Sequence, residues 1–288
     1  MTIRAGFIGL GNQGKPIAAH LAPRGLTTTV FDIAPGPVAE LVKGGARAAA
    51  SARQVGEQSD VVGICVAEDD HVLAVTFGED GLLAGMRPGG LVLIHSTVLP
   101  QTVDRVAKAA NERGVEVMDA CVTGGADRAV ARKLVFMVGG SEAGLAKAKP
   151  YFEAATDMAV IHAGPLGCGA KLKLCVNLNT NILFAAAREA TNLARASGLS
   201  PELLEQVCRA NGQFTDMTLA YLAGKRLPES VLGGEDYQRF AHSMAALAEK
   251  DLAWALQLAR KSDVSLPVTG LVSQLAAGIY GVQGSKRI

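Results

Sequence analysis

The sequence predicts an α/β protein: an N-terminal Rossmann-type doubly wound parallel sheet, then an all-α domain, joined by a long interdomain helix. Short apolar runs alternate with helix-length amphipathic stretches as far as residue 164, and strands separated by helices pair in parallel through right-handed crossovers. No strand-like run follows. Residues 168–197 have the pattern of a single helix that ends at Gly198. We therefore predict two domains, residues 1–163 and residues 164–288.

The individual elements follow from the apolar runs and the residues that bound them. Pro16 in a first turn indicates a helix over residues 13–24, and Ser200 with Pro201 supplies the N-cap and first residue of another. The predicted strands cover residues 2–10, 27–33, 59–66, 89–96, 114–120, 133–140 and 158–164. Further helices are predicted over residues 101–114, 241–261 and 267–280.

Composition and charge exclude several classes of protein. The 288 residues include 28 basic and 27 acidic side chains, a formal net charge of +1, so no global field favours nucleic acid or an anionic membrane as a partner. No apolar run reaches the roughly 18 residues of a membrane span. The five cysteines form no C-x-x-C pair, which argues against a disulfide framework or a zinc site. We expect a soluble cytoplasmic protein without a metal, acting on a small ligand.

Residues 7–16, FIGLGNQGKP, place three glycines in the G-x-G-x-x-G spacing between a predicted strand and a predicted helix. In that context Gly9 allows the tight turn, Gly11 lets the backbone approach a pyrophosphate, and Gly14 permits close packing of helix on strand. Free amides at the helix start can bind phosphate. Glycines retained only for packing are the alternative. The predicted dinucleotide-binding loop comprises Gly9, Leu10, Gly11, Asn12, Gln13 and Gly14.

Asp32 supplies the second feature of a dinucleotide site. It closes the next predicted strand, about 20 residues after the glycines, where a carboxylate accepts hydrogen bonds from the adenosine ribose hydroxyls. The same charge repels a 2′-phosphate, so the predicted cofactor is NAD rather than NADP. Arg47 and Arg53 follow soon after in the chain, and a nearby arginine could reverse that preference.

Lys173 and Asn177 are candidates for the proton transfer that accompanies nicotinamide chemistry. They are four residues apart and therefore project from one face of the long helix, whereas Lys171 points elsewhere. The spacing alone leaves another interpretation open, an exposed lysine and a polar asparagine between helices.

Four segments together resemble the β-hydroxyacid dehydrogenase family, which includes 3-hydroxyisobutyrate dehydrogenase and tartronate semialdehyde reductase. They are GFIGLGNQGKPIAAHL, DACVTGG, GPLGCGAKLKLCVN and EKDLAWAL, in the order of the family and across nearly the whole chain. The resemblance implies an NAD-dependent oxidoreductase that transfers a hydride between nicotinamide and a short 3-hydroxy acid, or that reduces the matching aldehyde acid. It also implies a small substrate bearing a carboxylate.

The resemblance implies roles for individual residues as well. Lys173 matches the catalytic lysine, which takes the hydroxyl proton in oxidation and returns it in reduction, and Asn177 orients the substrate or the lysine. Thr123 stands where the family usually has Ser, and with the following amides it can form a nest for a carboxylate. The implied substrate-binding residues are Ser96, Thr123, Gly124, Gly125, Lys173 and Asn177. The implied cofactor contacts beyond the glycine loop are Asp32, Val66, Ala67, Thr97 and Lys250.

Several positions depart from the family pattern. Cys121 replaces a usual Pro, and His95 stands where an acidic or small residue is commoner; we interpret His95 as a local structural choice rather than a catalytic acid. Arg128 and Arg132 replace common glycines and, with Lys133, add three cations just past the nest. Either the substrate has more negative charge or length than 3-hydroxyisobutyrate, or these cations form a solvated surface.

The sequence is also compatible with two other functions, and it predicts an assembly. An imine reductase of the same fold is one alternative, although such relatives usually have Asp or Tyr where Lys173 stands. A non-catalytic dinucleotide-binding module is another, and the retention of Lys173 with Asn177 argues against it. The apolar helical domain predicts packing against a second subunit, in a homodimer or a homotetramer. Neither nucleic acid nor a membrane is expected as a partner.

Overall fold

The computed structural model describes residues 3–284. Residues 1–2 and 285–288, at the ends of the two predicted domains, lie outside the described residues. One sheet of eight strands occupies the first half of the described chain. Its strands are β1 (Arg4–Ile8), β2 (Thr27–Phe31), β3 (Arg47–Ala48), β4 (Val61–Ile64), β5 (Leu91–Ile94), β6 (Glu116–Thr123), β7 (Val135–Gly139) and β8 (Val160–Gly164).

Helices alternate with these strands and then continue alone. Those that accompany the sheet are α1 (Gly14–Ala19), α2 (Pro35–Lys43), α3 (Ala52–Gln58), α4 (Asp69–Thr76), α5 (Leu82–Gly85), α6 (Pro100–Asn111), α7 (Gly125–Val130) and α8 (Glu142–Ala155). Those that follow are α9 (Cys168–Ala196), α10 (Pro201–Ala210), α11 (Asp216–Gly224), α12 (Glu229–Leu232), α13 (Glu235–Lys261) and α14 (Pro267–Tyr280).

The helix boundaries agree with the sequence where caps are present and differ where they are not. The Ser200 side chain accepts a hydrogen bond from the Leu203 amide at the start of α10, as its N-cap position predicts. The helix predicted over residues 13–24 is instead split. It ends at Ala19, and a 3₁₀ turn with Pro in its first positions follows, closed by Gly25 at φ 89°. Helix α13 begins at Glu235, before the predicted residue 241.

The strand order, β3-β2-β1-β4-β5-β6-β7-β8, places a switch point beside the glycine loop. The pairings among β1 to β6 are all parallel. The chain moves outward from β1 to β2 and β3, then returns to place β4 on the other side of β1. Ligands of doubly wound sheets bind outside the carboxyl ends of the strands at such a reversal. The glycine loop follows β1 and so lies at this edge.

Strand β7 runs antiparallel to β6, so the prediction that all strands pair in parallel is wrong at this point. Residues 124–134 alone separate the two strands, and a parallel return needs a crossover of about a dozen or more residues. Helix α7 has six residues, a length of about 9 Å, too short to run back along the eight residues of β6. Helix α8 has 14 residues, and β8 accordingly pairs with β7 in parallel.

The chain forms two compact units, Met1–Lys173 and Leu174–Ile288. The division lies inside α9, later than the predicted boundary after residue 163. Unit 1 has the sheet and a core in which aromatic side chains such as Phe7 and Phe136 are fully buried. Unit 2 has its own helical cores, one of them around Phe184. Within residues 3–284, no helix has both the length and the apolar character needed to cross a bilayer.

Candidate active site

The glycine loop has the geometry that its three glycines predict. Gly9 has φ 90°, and a Cβ there would lie 2.4 Å from the Cys65 carbonyl oxygen. A Cβ at Gly14 would lie 2.0 Å from the Gly9 carbonyl oxygen, so the helix start packs directly on the turn. Gly11 differs, since no atom lies within 4 Å of the position of its Cβ. Two glycines are therefore required by packing, and Gly11 leaves the outer face of the loop open.

Asp32 lies at the carboxyl end of β2 and is tied to this loop. Its carboxylate accepts hydrogen bonds from the Leu10 amide (2.5 Å) and from the Ala34 amide (2.7 Å). The Gly9 amide donates to the Phe31 carbonyl oxygen at 3.1 Å, beside the same strand end. The acidic residue and the glycine turn thus form one hydrogen-bonded unit at the switch point.

A cavity of about 350 Å³ lies at this edge of unit 1. Five predicted cofactor-binding residues line it: Gly9, Gly11, Asp32, Val66 and Ala67. The lining residues that were not predicted include Ile33, His71, Ala74 and Val75. Ile33 is 94% exposed although it is large and apolar, which fits a side chain that packs on a ligand's ring. The other three share one face of α4 at helical spacing, a signal that the sequence did contain.

These residues fit a dinucleotide. The amides of Asn12 and Gln13 donate to no protein atom within residues 3–284, and open loop amides are the donors that a pyrophosphate needs. The Gln13 Oε1 atom is buried without a hydrogen-bond partner among the described residues. Arg47 and Arg53 do not approach Asp32: Arg47 lines a groove with residues 25–28 at the amino end of β2, and Arg53 pairs with Glu57 at 3.0 Å. The carboxylate at the ribose position therefore favours NAD.

Ser96 and Thr97 follow β5 at the same edge. The Ser96 hydroxyl is buried and accepts a hydrogen bond from the Val66 amide at 2.8 Å, and its carbonyl oxygen accepts one from the Cys121 thiol. Thr97 is half-buried. Ser96 thereby joins the ends of β4, β5 and β6, and Cys121 is a buried structural thiol at this junction.

The segment predicted to bind a carboxylate lies just beyond, at the end of β6. Gly124 has φ 137° and Gly125 has φ 82°, backbone conformations that favour glycine. Within residues 3–284, neither the Thr123 hydroxyl nor the Gly124 amide has a hydrogen-bond partner. A Cβ at Gly125 would have no atom within 4 Å. A strand end with an open hydroxyl and an open amide is a concave donor site for an anion.

Lys173 lies one turn into α9, half-buried, at the carboxyl edge of the sheet. Burial raises the pKa of the Cys65 thiol to about 12, and the opposing influence on that pKa is the Lys173 charge. Lys173 is therefore close to the end of β4. Cys65 also lines the 350 Å³ cavity, so the Lys173 charge acts on a residue of the predicted cofactor site.

Asn177 follows one turn later on α9. Its Nδ2 donates to the Asp251 carboxylate of α13 at 2.5 Å, and Asp251 is 9% exposed. A carboxylate only accepts, so the Asn177 amide nitrogen faces Asp251 and its Oδ1 points away. Lys250 Nζ lies 3.4 Å from the other Asp251 oxygen. Asp251 thus links two predicted site residues within unit 2, a role that we did not predict from its place next to Lys250.

Of the three additional cations, Arg132 is structural. It has φ 56° and occupies the C′ position after α7. There the Lys133 amide donates to the Arg128 carbonyl oxygen, and the Arg132 amide donates to the Ala129 carbonyl oxygen. Its guanidinium, 6% exposed, donates to the carbonyl oxygens of Glu153 and Ala154 at the end of α8 and to Asp157. The substrate-charge hypothesis is therefore wrong for Arg132.

Arg128 remains at the nest. It is exposed, and its Cβ and Cδ would lie 3.1 and 3.2 Å from a Cβ at Gly124. Its side-chain stem therefore lies over the nest glycine. Lys133 is exposed beyond it.

His95 is a buried structural residue. Its Nδ1 lies 2.7 Å from the Ala120 carbonyl oxygen, and its Nε2 lies 2.9 Å from the Tyr151 hydroxyl. Because a carbonyl only accepts, Nδ1 has the proton and Nε2 accepts from Tyr151. Burial lowers the pKa of His95 to about 4. Gly63 makes room for the pair, since a Cβ there would lie 2.2 Å from the Tyr151 hydroxyl.

Comparison with known proteins agrees with this geometry. The family model for the NAD binding domain of 6-phosphogluconate dehydrogenase matches residues 4–164. The model for the NAD-binding domain of NADP-dependent 3-hydroxyisobutyrate dehydrogenase matches residues 167–286. The NAD-dependent L-serine dehydrogenase of Pseudomonas aeruginosa is 38% identical over 269 residues, 93% of this chain and 89% of that protein. The chain belongs to the β-hydroxyacid dehydrogenase family.

Two more relatives are similar to this β-hydroxyacid dehydrogenase over most of its length. The 3-hydroxyisobutyrate dehydrogenase of P. aeruginosa is 36% identical over 270 residues, 93% of this chain and 89% of that protein. The solved structure of Mycobacterium tuberculosis 3-hydroxyisobutyrate dehydrogenase with L-serine has a TM-score of 0.80 and 28% identity, over 96% of this chain and 94% of that one. The predictions of family, fold class, NAD as cofactor and oxidoreductase chemistry on a CH–OH group are confirmed. The residue roles in this β-hydroxyacid dehydrogenase remain predictions.

The β-hydroxyacid dehydrogenase fold brings most of the predicted site to one edge. The glycine loop, Asp32, the Val66–Ala67 turn, the Ser96–Thr97 segment and the Thr123–Gly125 nest follow five neighbouring parallel strands. Asn177 and Lys250 belong to unit 2. Among residues 3–284, no three His, Cys, Asp or Glu side chains are grouped so as to hold a metal ion.

Proposed function

We propose that this β-hydroxyacid dehydrogenase oxidises a 2-substituted 3-hydroxypropionate, HO–CH₂–CH(R)–COO⁻, to the corresponding 3-oxo acid, or reduces that aldehyde acid. The names of two relatives support this class, since L-serine and 3-hydroxyisobutyrate share this skeleton and differ only in R. The single observation that supports it best is the place of Lys173: it is half-buried near the start of α9, and its charge acts on Cys65, a residue of the predicted NAD cavity.

Each proposed site residue has one task. Bound NAD supplies a hydride acceptor at the nicotinamide ring. A neutral Lys173 amine takes the hydroxyl proton of the substrate and returns it in reduction, a transfer typically worth about 10²- to 10⁴-fold in rate. The Thr123 hydroxyl with the Gly124 and Gly125 amides binds the substrate carboxylate. Asn177 orients the hydroxyl.

Other residues are proposed to hold the cofactor and border the reacting carbon. The glycine loop, Asp32, Val66 and Ala67 bind the adenosine and pyrophosphate half. Ser96 and Thr97 border the nicotinamide. Lys250 neutralises anionic charge of the cofactor or the substrate.

The test is a panel of initial rates at 340 nm with NAD and then NADP. The panel holds L-serine, both enantiomers of 3-hydroxyisobutyrate, glycerate and 2-(hydroxymethyl)glutarate, with lactate as the 2-hydroxy acid control. A cyclic imine is assayed beside them with the reduced cofactors. We expect turnover of at least one 2-substituted 3-hydroxypropionate with NAD, and none of lactate. Turnover of cyclic imines without any hydroxy acid would support the imine reductase alternative. NADH binding with no turnover of either class would support the non-catalytic alternative.

We also propose a homodimer or homotetramer assembled through unit 2, in the cytoplasm. Leu199, Leu203 and Val207, before and on α10, are each more than half exposed, and Leu203 and Val207 lie on one helix face. The five cysteines are free thiols, as a reducing compartment favours. Light scattering should give a mass of two or four chains, and Leu203→Glu with Val207→Glu should lower it. A monomer in both cases would overturn the assembly.

A further inference from the structure

Asp119 is a fully buried carboxylate in the middle of the sheet. It lies on β6 between Ile94 of β5 and Gly139 of β7. Burial raises the pKa of its carboxyl, and backbone amides, including those of Ala170 and Gly167, oppose that rise. A buried carboxylate is costly unless its hydrogen bonds are made. Asp119 therefore needs a structural or functional reason to be in this position.

Its two oxygens hold the start of α9. Oδ1 accepts from the Gly167 amide at 2.7 Å, and Oδ2 accepts from the Ala170 amide at 2.6 Å. The first amides of a helix have no partners within the helix. Asp119 satisfies two amides at this helix start from a strand about 50 residues earlier in the chain, so the first turn of α9 is bound to β6.

Two glycines, Gly139 and Gly169, leave room for this carboxylate. A Cβ at Gly139 would lie 2.5 Å from Asp119 Oδ1 and 2.9 Å from the Cys168 amide nitrogen. A Cβ at Gly169 would lie 2.5 Å from the Met137 carbonyl oxygen and 3.0 Å from Asp119 Oδ2. The helix start thus approaches β6 and β7 as closely as backbones allow. A shift of α9 on the sheet would break the contact rather than stretch it.

The same strand face bears the predicted substrate nest. Side chains alternate along a strand, so Asp119, Cys121 and Thr123 point to one face of β6. Thr123 is four residues from Asp119, about 13 Å along the strand. Lys173 is three residues from Ala170, about 4.5 Å along the helix. One rigid strand therefore holds both the nest and the start of the helix that bears the amine.

We propose that Asp119 is a positioning residue for Lys173, fixing the start of α9 on β6 and with it the place of the amine relative to the Thr123 nest. The inference rests on the proposed function, in which Lys173 moves the proton. Because Asp119 is fully buried, its proposed role needs no contact with the substrate or the cofactor. A misplacement of about 1 Å can cost about 10²-fold in rate. Loss of the contact between Asp119 and α9 should therefore lower kcat by a measurable factor.

The first test is Asp119→Asn, which replaces one acceptor oxygen by an NH₂ group facing an amide donor. We expect kcat to fall about 10- to 100-fold, with the KM of the hydroxy acid and the Kd of NADH within threefold of wild type. Asp60→Asn is the matched control, because it breaks an ion pair with Arg4 at the amino end of the sheet. It should lower the melting temperature with kcat unchanged. A normal kcat for Asp119→Asn would overturn the inference.

A double-variant cycle with Lys173→Ala separates positioning from general damage. If Asp119 acts through Lys173, adding Asp119→Asn to Lys173→Ala should change the residual kcat less than twofold. An undiminished 10- to 100-fold loss in the double variant would overturn the inference. Near-normal turnover of Lys173→Ala alone would instead overturn the proposed function.

A second variant decides the matter if Asp119→Asn does not fold. Gly139→Ala keeps the carboxylate and pushes a methyl group against Oδ1. We expect the same loss of kcat with unchanged NADH binding, and the same non-additivity with Lys173→Ala. A folded Gly139→Ala protein with wild-type kcat would overturn the inference.

Discussion

The carboxylate of Asp32 accepts a hydrogen bond from the main-chain amide of Leu10, so the acidic residue that ends β2 also holds the turn that follows β1. A second bond, from the Ala34 amide, fixes the carboxylate in place. The residue that we propose to discriminate between cofactors is therefore hydrogen-bonded to the loop that we propose to bind their pyrophosphate. Changes at Asp32 should affect both the affinity and the selectivity of the site.

Asp32→Ala should weaken NADH binding about tenfold and shift the ratio of the NADH and NADPH Kd values towards NADPH by a further tenfold or more. NADH binding weakens because hydrogen bonds to a charged acceptor are lost, each worth about 1.5–3 kcal/mol. The ratio shifts because only NADPH has a 2′-phosphate, which the carboxylate no longer repels. Fluorescence titration of both reduced cofactors gives the ratio. Glu57→Ala, which frees Arg53 elsewhere on the unit, is the control. An unchanged ratio for Asp32→Ala would remove Asp32 from the site.

Arg132→Ala should lower the free energy of unfolding by about 2–4 kcal/mol, because it leaves the α8 carbonyl oxygens without their donors. Arg132→Gly should be about 1 kcal/mol less damaging than Arg132→Ala, since glycine adopts φ 56° without strain. Urea denaturation measures both. The KM of the best substrate should stay within twofold; a large rise in KM with normal stability would return Arg132 to the substrate site.

Arg128→Ala should raise the KM about tenfold for a substrate with a second carboxylate, such as 2-(hydroxymethyl)glutarate, and leave that of 3-hydroxyisobutyrate unchanged. The reason is that the exposed Arg128 side chain lies over Gly124. A charge-assisted hydrogen bond is worth about 1.5–3 kcal/mol. Lys133→Ala is the control. Equal effects on both substrates would show that Arg128 does not read substrate charge.

Acid should destabilise the fold through His95. Its pKa is about 4 when folded and about 6.5 when exposed, so the unfolded chain binds an extra proton between these values. Stability from this residue is complete above pH 6.5 and falls as the pH drops to 4, by on the order of 3 kcal/mol. The double variant His95→Phe with Tyr151→Phe should lose less stability than wild type over this window. Urea denaturation at pH 7 and pH 4.5 gives the free energy of unfolding of both proteins. An equal loss between the two pH values for wild type and the double variant would contradict this prediction.

The periodicity of apolar residues, together with the Gly and Pro residues that bound the elements, predicts most of the fold. Helix α9 and helix α14 have the predicted extents because Gly198 and Pro267 bound them. Strand direction at β7 was not predictable from the strand pattern alone, since it depends on how far a short connection can reach. Strand β3 has two residues, too few for any alternation to be visible.

Site residues were predictable where a motif and its context coincide, as at the glycine loop and Asp32. Arg132 shows the limit, because its sequence position suggested a substrate role and its left-handed backbone turned the side chain towards α8. The sequence also contained a signal for the role of Asp119. A carboxylate inside the apolar run VEVMDACV must be satisfied by partners, and those partners lie about 50 residues later, beyond the reach of local patterns.

The most direct test of the proposed proton transfer compares wild type with Lys173→Ala in initial rates of NADH formation at 340 nm, using saturating NAD and the best 2-substituted 3-hydroxypropionate. We predict a loss of kcat of about 10²- to 10⁴-fold, with the Kd of NADH within threefold of wild type. Near-normal turnover by Lys173→Ala would contradict the proposed role of Lys173, because no amine on α9 would then be needed to move the proton.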